Sequence, residues 1–232
     1  MACILKCHAR APQSLDVDWL DAEHWLHTKH LVGYSSGRNK AYFIDYQENK
    51  WVLRHYYRGG LVGKVNRDQF LYTGRQRTRA FAEFDLLTRM HKLGLPVPKV
   101  VAARICRNGL WYRNDILIER LDAKDLLAVL AAKPLTKAQY QQLGQVIAQF
   151  HQHKLYHADL NIKNILFDGD QFYLIDFDRG EFRENTGSWC QSNLKRLLRS
   201  FRKEAQRHAP LHWSESDWQA LESGYREAMI PK

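Results

Sequence analysis

The sequence predicts an α+β chain in two lobes, and three observations lead there. Short runs rich in β-branched and aromatic residues, parted by turn residues, fill the chain from His30 to about residue 120. Beyond that point apolar residues recur at helical spacing. One helical pattern, from about Thr78 to Leu93, sits among the strands. The expected layout is a small antiparallel-sheet lobe with one helix (30–120), then a short helix-rich lobe (121–232). A leader (1–29) mixes polar, aromatic and His residues without a sustained period, and no role is assigned to it.

Taken in order, Leu31-Val32, Ala41 to Ile44 and Trp51 to Tyr57 read as strands. Alternation along the third puts Val52, Arg54 and Tyr56 on one face and Trp51, Leu53 and His55 on the other. The helix carries Phe81, Phe84, Leu87 and Met90 at helical spacing and stops at Gly94 before Pro96. Val100 to Ile105 and Leu110 to Arg113 read as two short strands, and Ile116 to Leu121 as a strand entering a hinge. Asp122 to Ala132 reads as a short helix broken at Pro134. Thr136 caps a longer one with Tyr140, Leu143, Ile147 and Phe150 on one face. Ile165-Leu166-Phe167 and Phe172-Tyr173-Leu174 flank the turn signal Asp168-Gly169-Asp170, as a hairpin requires. After Trp189 comes a helix with Leu194, Leu197, Leu198 and Phe201, and Ser214 or Ser216 starts the last one.

A chain of 232 residues, 45% hydrophobic, buries a sizeable core, so disorder is excluded. Thirty-five Lys and Arg against 25 Asp and Glu give a formal charge of +10, which favours polyanionic partners such as ATP, nucleic acid or an anionic membrane. No run approaches the roughly 18 apolar residues of a membrane span, and the start does not resemble a secretory signal, so a cytoplasmic protein is expected. Cys3, Cys7, Cys106 and Cys190 have neither C-x-x-C spacing nor a companion His pattern; four free thiols are expected, and no zinc site.

The chemistry concentrates in LYHADLNIKNILFDGDQFYLIDFDRG, residues 155–180. His157, Asp159 and Asn164 form an H-x-D-L-x-x-x-N array, and the hairpin returns to Asp176 in Leu-Ile-Asp-Phe-Asp. Phosphoryl transfer needs a carboxylate to orient the attacking hydroxyl and hard oxygen ligands for a charge-neutralising metal. Asp159 fits the first role, and Asn164 and Asp176 fit the second, with Mg²⁺ completing its shell from water and ATP phosphates. This is the pattern of a two-lobed protein-kinase-like fold. On that pattern ATP lies in a cleft between the lobes. Gly33 and Gly37 fall where a glycine-rich loop covers phosphates, although the full G-x-G-x-x-G is missing and an ordinary hairpin turn explains the loop as well. Val52 sits above the adenine, and Arg54 stands where such enzymes carry the phosphate-binding Lys, with Lys64 as a rival cation. Glu83 is the helix acid that pairs with that cation, and Glu119 and Leu121 form the hinge beside the nucleotide. Lys163 is a candidate to neutralise the transferred phosphate.

The motifs HADLNIKNILF and FYLIDFDRG, together with LRHYYRGGL (53–61), GLPVP (94–98), ILIERL (116–121) and NLKRLLRSFRK (193–203), closely resemble the bacterial 3-deoxy-D-manno-octulosonic acid (Kdo) kinases, in the lipopolysaccharide-kinase branch of the kinase-like fold. The resemblance covers roughly residues 30–205. It implies ATP-dependent phosphorylation of the 4-hydroxyl of Kdo on a lipid A precursor, at the cytoplasmic face of the inner membrane. The six basic residues from Lys195 to Arg207 are then expected to dock the chain peripherally on an anionic membrane surface, and no nucleic acid is expected as partner. Departures from protein kinases point to a small hydroxyl acceptor: Asn161 stands two residues after the catalytic Asp, Asp178 replaces the Gly of Asp-Phe-Gly, and no Ala-Pro-Glu follows. An aminoglycoside-type or other small-molecule kinase is the alternative reading. An inert nucleotide-binding module is a third, disfavoured by the intact set of Asp159, Asn164 and Asp176.

Overall fold

The structure, a computed structural model, describes residues 2–35, 40–58, 67–208 and 210–230. Two of the candidate nucleotide ligands, Gly37 and Lys64, lie outside the described residues. The chain divides into two compact units, Met1–Arg89 with Pro98–Leu121, and Met90–Val97 with Asp122–Lys232.

The first unit is built on seven antiparallel strands: β1 (Ala2–Cys7), β2 (Leu31–Tyr34), β3 (Ala41–Tyr46), β4 (Asn49–His55), β5 (Phe70–Leu71), β6 (Val100–Asn108) and β7 (Trp111–Glu119). Their order is β1-β6-β7-β4-β3-β2, with β5 added to β7. Period-two alternation does in β4 what the sequence implies. Trp51 and Leu53 are buried, while Val52 and Arg54 on the other face stay half-buried.

What covers Trp51 and Leu53 is the stretch read as a leader. Leu15, Trp19, Leu20 and Trp25 join Ile44, Trp51, Leu53, Ala102 and Leu117 in one apolar cluster. The buried Trp25 indole donates its N–H to Trp19 O at 2.8 Å, so the ring enters the core without an orphaned donor. Asp21 caps α1 (Ala22–Leu26) by accepting from Glu23 N. The absence of a period here reflects short elements: a 3-10 turn at Asp18–Leu20 and five residues of helix are too brief to repeat a pattern.

The expectation of four free thiols is overturned, because Cys3 and Cys106 are joined in a disulfide. β1 pairs with β6 in a register that sets the two directly opposite. Spacing along the chain carries no information about a register between strands 103 residues apart. Cys7 and Cys190 are free. A second difference is that Leu110 to Arg113 and Ile116 to Leu121 merge into the single strand β7. Asn114 and Asp115, which break the apolar run, are buried in mid-strand, where a backbone N–H meets the Asn114 carbonyl oxygen and charged side chains meet Asp115. Asn114 Oδ1 accepts from Ala80 N at 2.8 Å, at the start of α2 (Arg79–Lys92), and Asp115 meets Arg104 at 2.9 Å and His55 Nδ1 at 2.6 Å. Gly94, at φ +71°, ends the chain's run past α2 in the left-handed region that glycine tolerates.

The second unit carries α3 (Leu126–Ala132), α4 (Lys137–Gln152), α5 (Ser188–Arg207) and α6 (Glu215–Met229). Among them run β8 (Lys124–Asp125), β9 (Leu155–Tyr156), β10 (Ile165–Phe167), β11 (Phe172–Leu174) and β12 (Glu181–Phe182), paired as β11-β10-β8 and β12-β9. The helix expected from Asp122 starts only at Leu126, since Lys124–Asp125 pairs with β10 and Asp125 then caps the helix by accepting from Ala128 N. Thr136 and Gln139 form a capping box on α4, and Ser214 and Asp217 form one on α6. α4 and α6 cross with backbones in contact. A Cβ on Gly144 would lie 2.1 Å from Leu221 O, and one on Gly224 2.1 Å from Gln141 O, so only glycine admits the approach.

Candidate active site

The array from His157 to Asp176 is held by one buried imidazole. His157 is 3% exposed; its Nε2 meets Ile175 O at 3.0 Å, and its Nδ1 accepts from Asp159 N at 3.1 Å. A carbonyl only accepts and an amide N–H only donates, so these two partners assign the proton to Nε2. Burial pushes His157 below the ordinary imidazole range, which keeps it neutral in that tautomer. Its place is structural: one ring nitrogen fixes the loop at Asp159, and the other fixes the residue before Asp176.

Asn164 closes the same frame. Its Nδ2 donates to Asp159 O at 2.9 Å, and its carbonyl accepts from Ile175 N at 3.0 Å. With the amide nitrogen so used, Oδ1 is the side-chain atom of Asn164 left to accept. Asp176 follows at φ +64°, a conformation that costs most residues on the order of 1 kcal/mol or more and that Asp tolerates better than most. Phe177 anchors the turn, buried to 1% and packed on the rings of Phe150 and His157. Asp159 itself is exposed. Asn161 Nδ2 donates to its Oδ2 at 3.2 Å, and Arg196 Nη1 stands 3.4 Å from its Oδ1. Lys163 Nζ lies 3.6 Å from the carboxylate of Glu204, whose side chain is 7% exposed.

The platform under this loop is α5, which sequence reasoning treated as a membrane-facing helix. Asn193 is 1% exposed and brackets His157, accepting its N–H at 3.3 Å and donating to its carbonyl at 3.0 Å. Seven residues on, Ser200 Oγ accepts from Ile162 N at 2.8 Å. Neither residue was singled out from the sequence. The available signal is that Asn193 falls inside the apolar stripe Cys190, Leu194, Leu197 and Phe201, where an amide must have a buried partner.

In the first unit, Arg54 Nη1 reaches Glu83 Oε1 at 3.0 Å, and the Tyr56 hydroxyl donates to Glu83 Oε2 at 2.5 Å. The Glu83 side chain is 2% exposed, so its charge is compensated locally rather than by water. Gly33 lies within β2, and the nearest atom to an added Cβ would be Phe43 Cδ2 at an ordinary 3.6 Å. Glu119 ends β7 with its carboxylate tied to Lys99, 3.3 Å from Nζ, and its N–H donates to Lys99 O at 2.8 Å. Val52 and Leu121 are half-buried.

A family model described as lipopolysaccharide kinase (Kdo/WaaP) matches residues 22–225. The chain belongs to that family. Among its relatives is a 3-deoxy-D-manno-octulosonic acid kinase of Vibrio parahaemolyticus, 43% identical over 87% of this chain and 84% of the relative. Proteins of the same name from Haemophilus influenzae, at 40% identity over 90% of each chain, and from Stenotrophomonas maltophilia, at 46% over 81% and 76%, agree. Among solved structures, an amicoumacin kinase superposes with a TM-score of 0.62 at 11% identity, over 87% of this chain and 72% of that one. An aminopropanol kinase does so at 0.53 and 18%, over 85% and 75%. At these identities the likeness fixes the fold alone: it is kinase-like, and this member of the family is a phosphotransferase.

Proposed function

We propose that this protein transfers the γ-phosphoryl group of ATP to the 4-hydroxyl of Kdo on a lipid A precursor, in lipopolysaccharide core assembly. The observation that carries the reading is the single hydrogen-bonded frame in which His157 and Asn164 fix Asp159 and the Ile175–Asp176 step, in a chain whose named relatives act on Kdo. The two compact units act as the lobes of one catalytic domain.

Asp159, reachable from solvent, orients the acceptor hydroxyl and takes its proton. Asn164 Oδ1 and the Asp176 carboxylate are hard oxygen donors that fit Mg²⁺, which when bound neutralises phosphate charge. Among the described residues no three His, Cys, Asp or Glu cluster as a metal cage. Arg54, steadied by Glu83 and Tyr56, supplies the cation for the ATP phosphates. Val52 and the backbone at Glu119 and Leu121 line the adenine, and Gly33 and Gly37 belong to the covering loop. Lys163, held by Glu204, neutralises the phosphoryl group in transfer. The enzyme works at the cytoplasmic face of the inner membrane as a peripheral protein; among the described residues no helix is long and apolar enough to cross a membrane.

The test is incubation with labelled ATP, with and without Mg²⁺, offering a Kdo–lipid A precursor, an aminoglycoside and a protein side by side. Metal-dependent label on the Kdo acceptor alone is expected, on an oxygen that periodate and mass analysis place at carbon 4. Label on the aminoglycoside instead would replace this acceptor. Comparing Arg54→Ala with Lys64→Ala assigns the phosphate cation: a larger loss of turnover in the second variant would move that role to Lys64.

A further inference from the structure

We infer that the basic row on α5 is the acceptor subsite, and that Arg196 and Arg199 receive the carboxylate of the sugar acid whose hydroxyl meets Asp159. The inference rests on the acceptor proposed above and extends it to named contacts. A hollow of about 370 Å³ is walled by Asp159, Lys163, Arg196, Arg199, Lys203 and Arg207, together with Glu204. Five cations face two carboxylates there, so the hollow selects for an anion.

Its position decides which anion. Asp159 is in the wall, but neither Asn164 nor Asp176 is. Those two are joined through Ile175 on the strand side of the loop, whereas the hollow opens on the α5 side, where Ser200 holds Ile162. A group that shares the base but not the metal ligands is the owner of the attacking hydroxyl. The names of the relatives identify that owner as an acid, with a carboxylate on the same sugar as its hydroxyls.

The row is spaced for one helix face. Positions 196, 199, 203 and 207 are separated by three, four and four residues and extend about 16 Å along α5 at 1.5 Å per residue. Arg202 is turned away and holds Glu215 through Nε and Nη2 of one guanidinium edge, at 2.8 and 3.0 Å. The six basic residues of this helix therefore do not act as one surface. Arg196, at 3.4 Å from Asp159 and 43% exposed, is exchangeable: an incoming carboxylate offers the guanidinium a bidentate partner and releases Asp159 to the hydroxyl. Arg199 completes the clamp, and Lys203 and Arg207 meet further negative charge on the lipid-linked acceptor.

The experiment compares the Kdo acceptor with its carboxyl methyl ester, using the whole enzyme. The ester is expected to lower kcat/KM by at least about 30-fold, chiefly through acceptor KM, while the KM for ATP stays within about twofold. Arg196→Ala and Arg199→Ala are each expected to raise KM for the acid by about tenfold or more, and to cause little further loss with the ester. Arg202→Ala, outside the hollow, should stay within about twofold of the parent on both. Equal losses on acid and ester would mean that the arginines only support the loop, and an ester as good as the acid would remove the carboxylate contact; either result overturns the inference while leaving the proposed function standing. A parent enzyme that phosphorylates neither acceptor would overturn the proposed function, and this inference with it.

Discussion

Arg54 and Glu83 meet at 3.0 Å around a carboxylate that is 2% exposed, whereas Arg196 and Asp159 meet at 3.4 Å with side chains 43% and 63% exposed. The residue types are the same and the physics is not. A buried carboxylate that loses its partner keeps the full cost of desolvation, so the first pair is fixed and sets where the Arg54 guanidinium stands. In water the second pair is worth little and is screened by salt, so its members can exchange partners during a reaction cycle. On the proposed roles, rigidity falls where a cation would wait for a ligand, and looseness where a base would have to become available.

The largest expected effect tests the loose pair from its acidic side. Asp159→Asn should lower turnover by roughly 10²- to 10⁴-fold, the usual worth of a positioned general base, with no more than a small change in melting temperature. Unchanged turnover would remove Asp159 from the mechanism. Next comes the fixed pair: Arg54→Ala should cost roughly 3 kcal/mol, toward the lower end for a broken buried pair because Tyr56 still serves Glu83 Oε2. Calorimetry should show that as a fall in Tm of about 6–12 °C. A variant that melts with the parent would mean Glu83 is not charged in the native state.

A third expectation concerns pH. His151 is 2% exposed, bonded to the Tyr225 hydroxyl at 2.8 Å and held down to about 4, first because burial opposes the imidazolium. The folded value lies below the unfolded one, so the unfolded chain binds the extra proton. The stabilisation is complete above about pH 6.5 and is lost as pH falls toward 4; His157, lowered for the same reason, adds to it. From His151 alone the loss between pH 7 and 5 is about 2 kcal/mol. Denaturant melts across that range should slope less steeply for His151→Gln; an equal slope would place the proton uptake elsewhere. The smallest effect belongs again to the exposed pair. Arg196→Ala should change unfolding free energy by less than about 1 kcal/mol, and a loss like that of Arg54→Ala would show that the pair is not exchangeable.

The legible parts of the molecule are those where a local pattern repeats or a motif is contiguous. Thr136 announced α4, the alternation along β4 separated Arg54 from Trp51, and H-x-D-L-x-x-x-N with Asp176 picked out the residues that the His157 frame ties together. Asp21, Trp19 and Trp25 gave no such signal, because the elements they belong to are shorter than one repeat of any pattern. Asn193 and Ser200 were passed over because their partners, His157 and Ile162, lie 36 and 38 residues away.

By itself the sequence determined the fold class and the family, since each is written in residue types at short spacing. Tertiary structure alone decided the pairings across distance. Cys3 meets Cys106 through the β1–β6 register, and Leu15, Trp19, Leu20 and Trp25 pack against Trp51 and Leu53 of the sheet. One arginine of α5 is turned onto Asp159 and another onto Glu215. Periodicity says which face of a helix is polar; only the packing of its opposite face says what that polar face looks at.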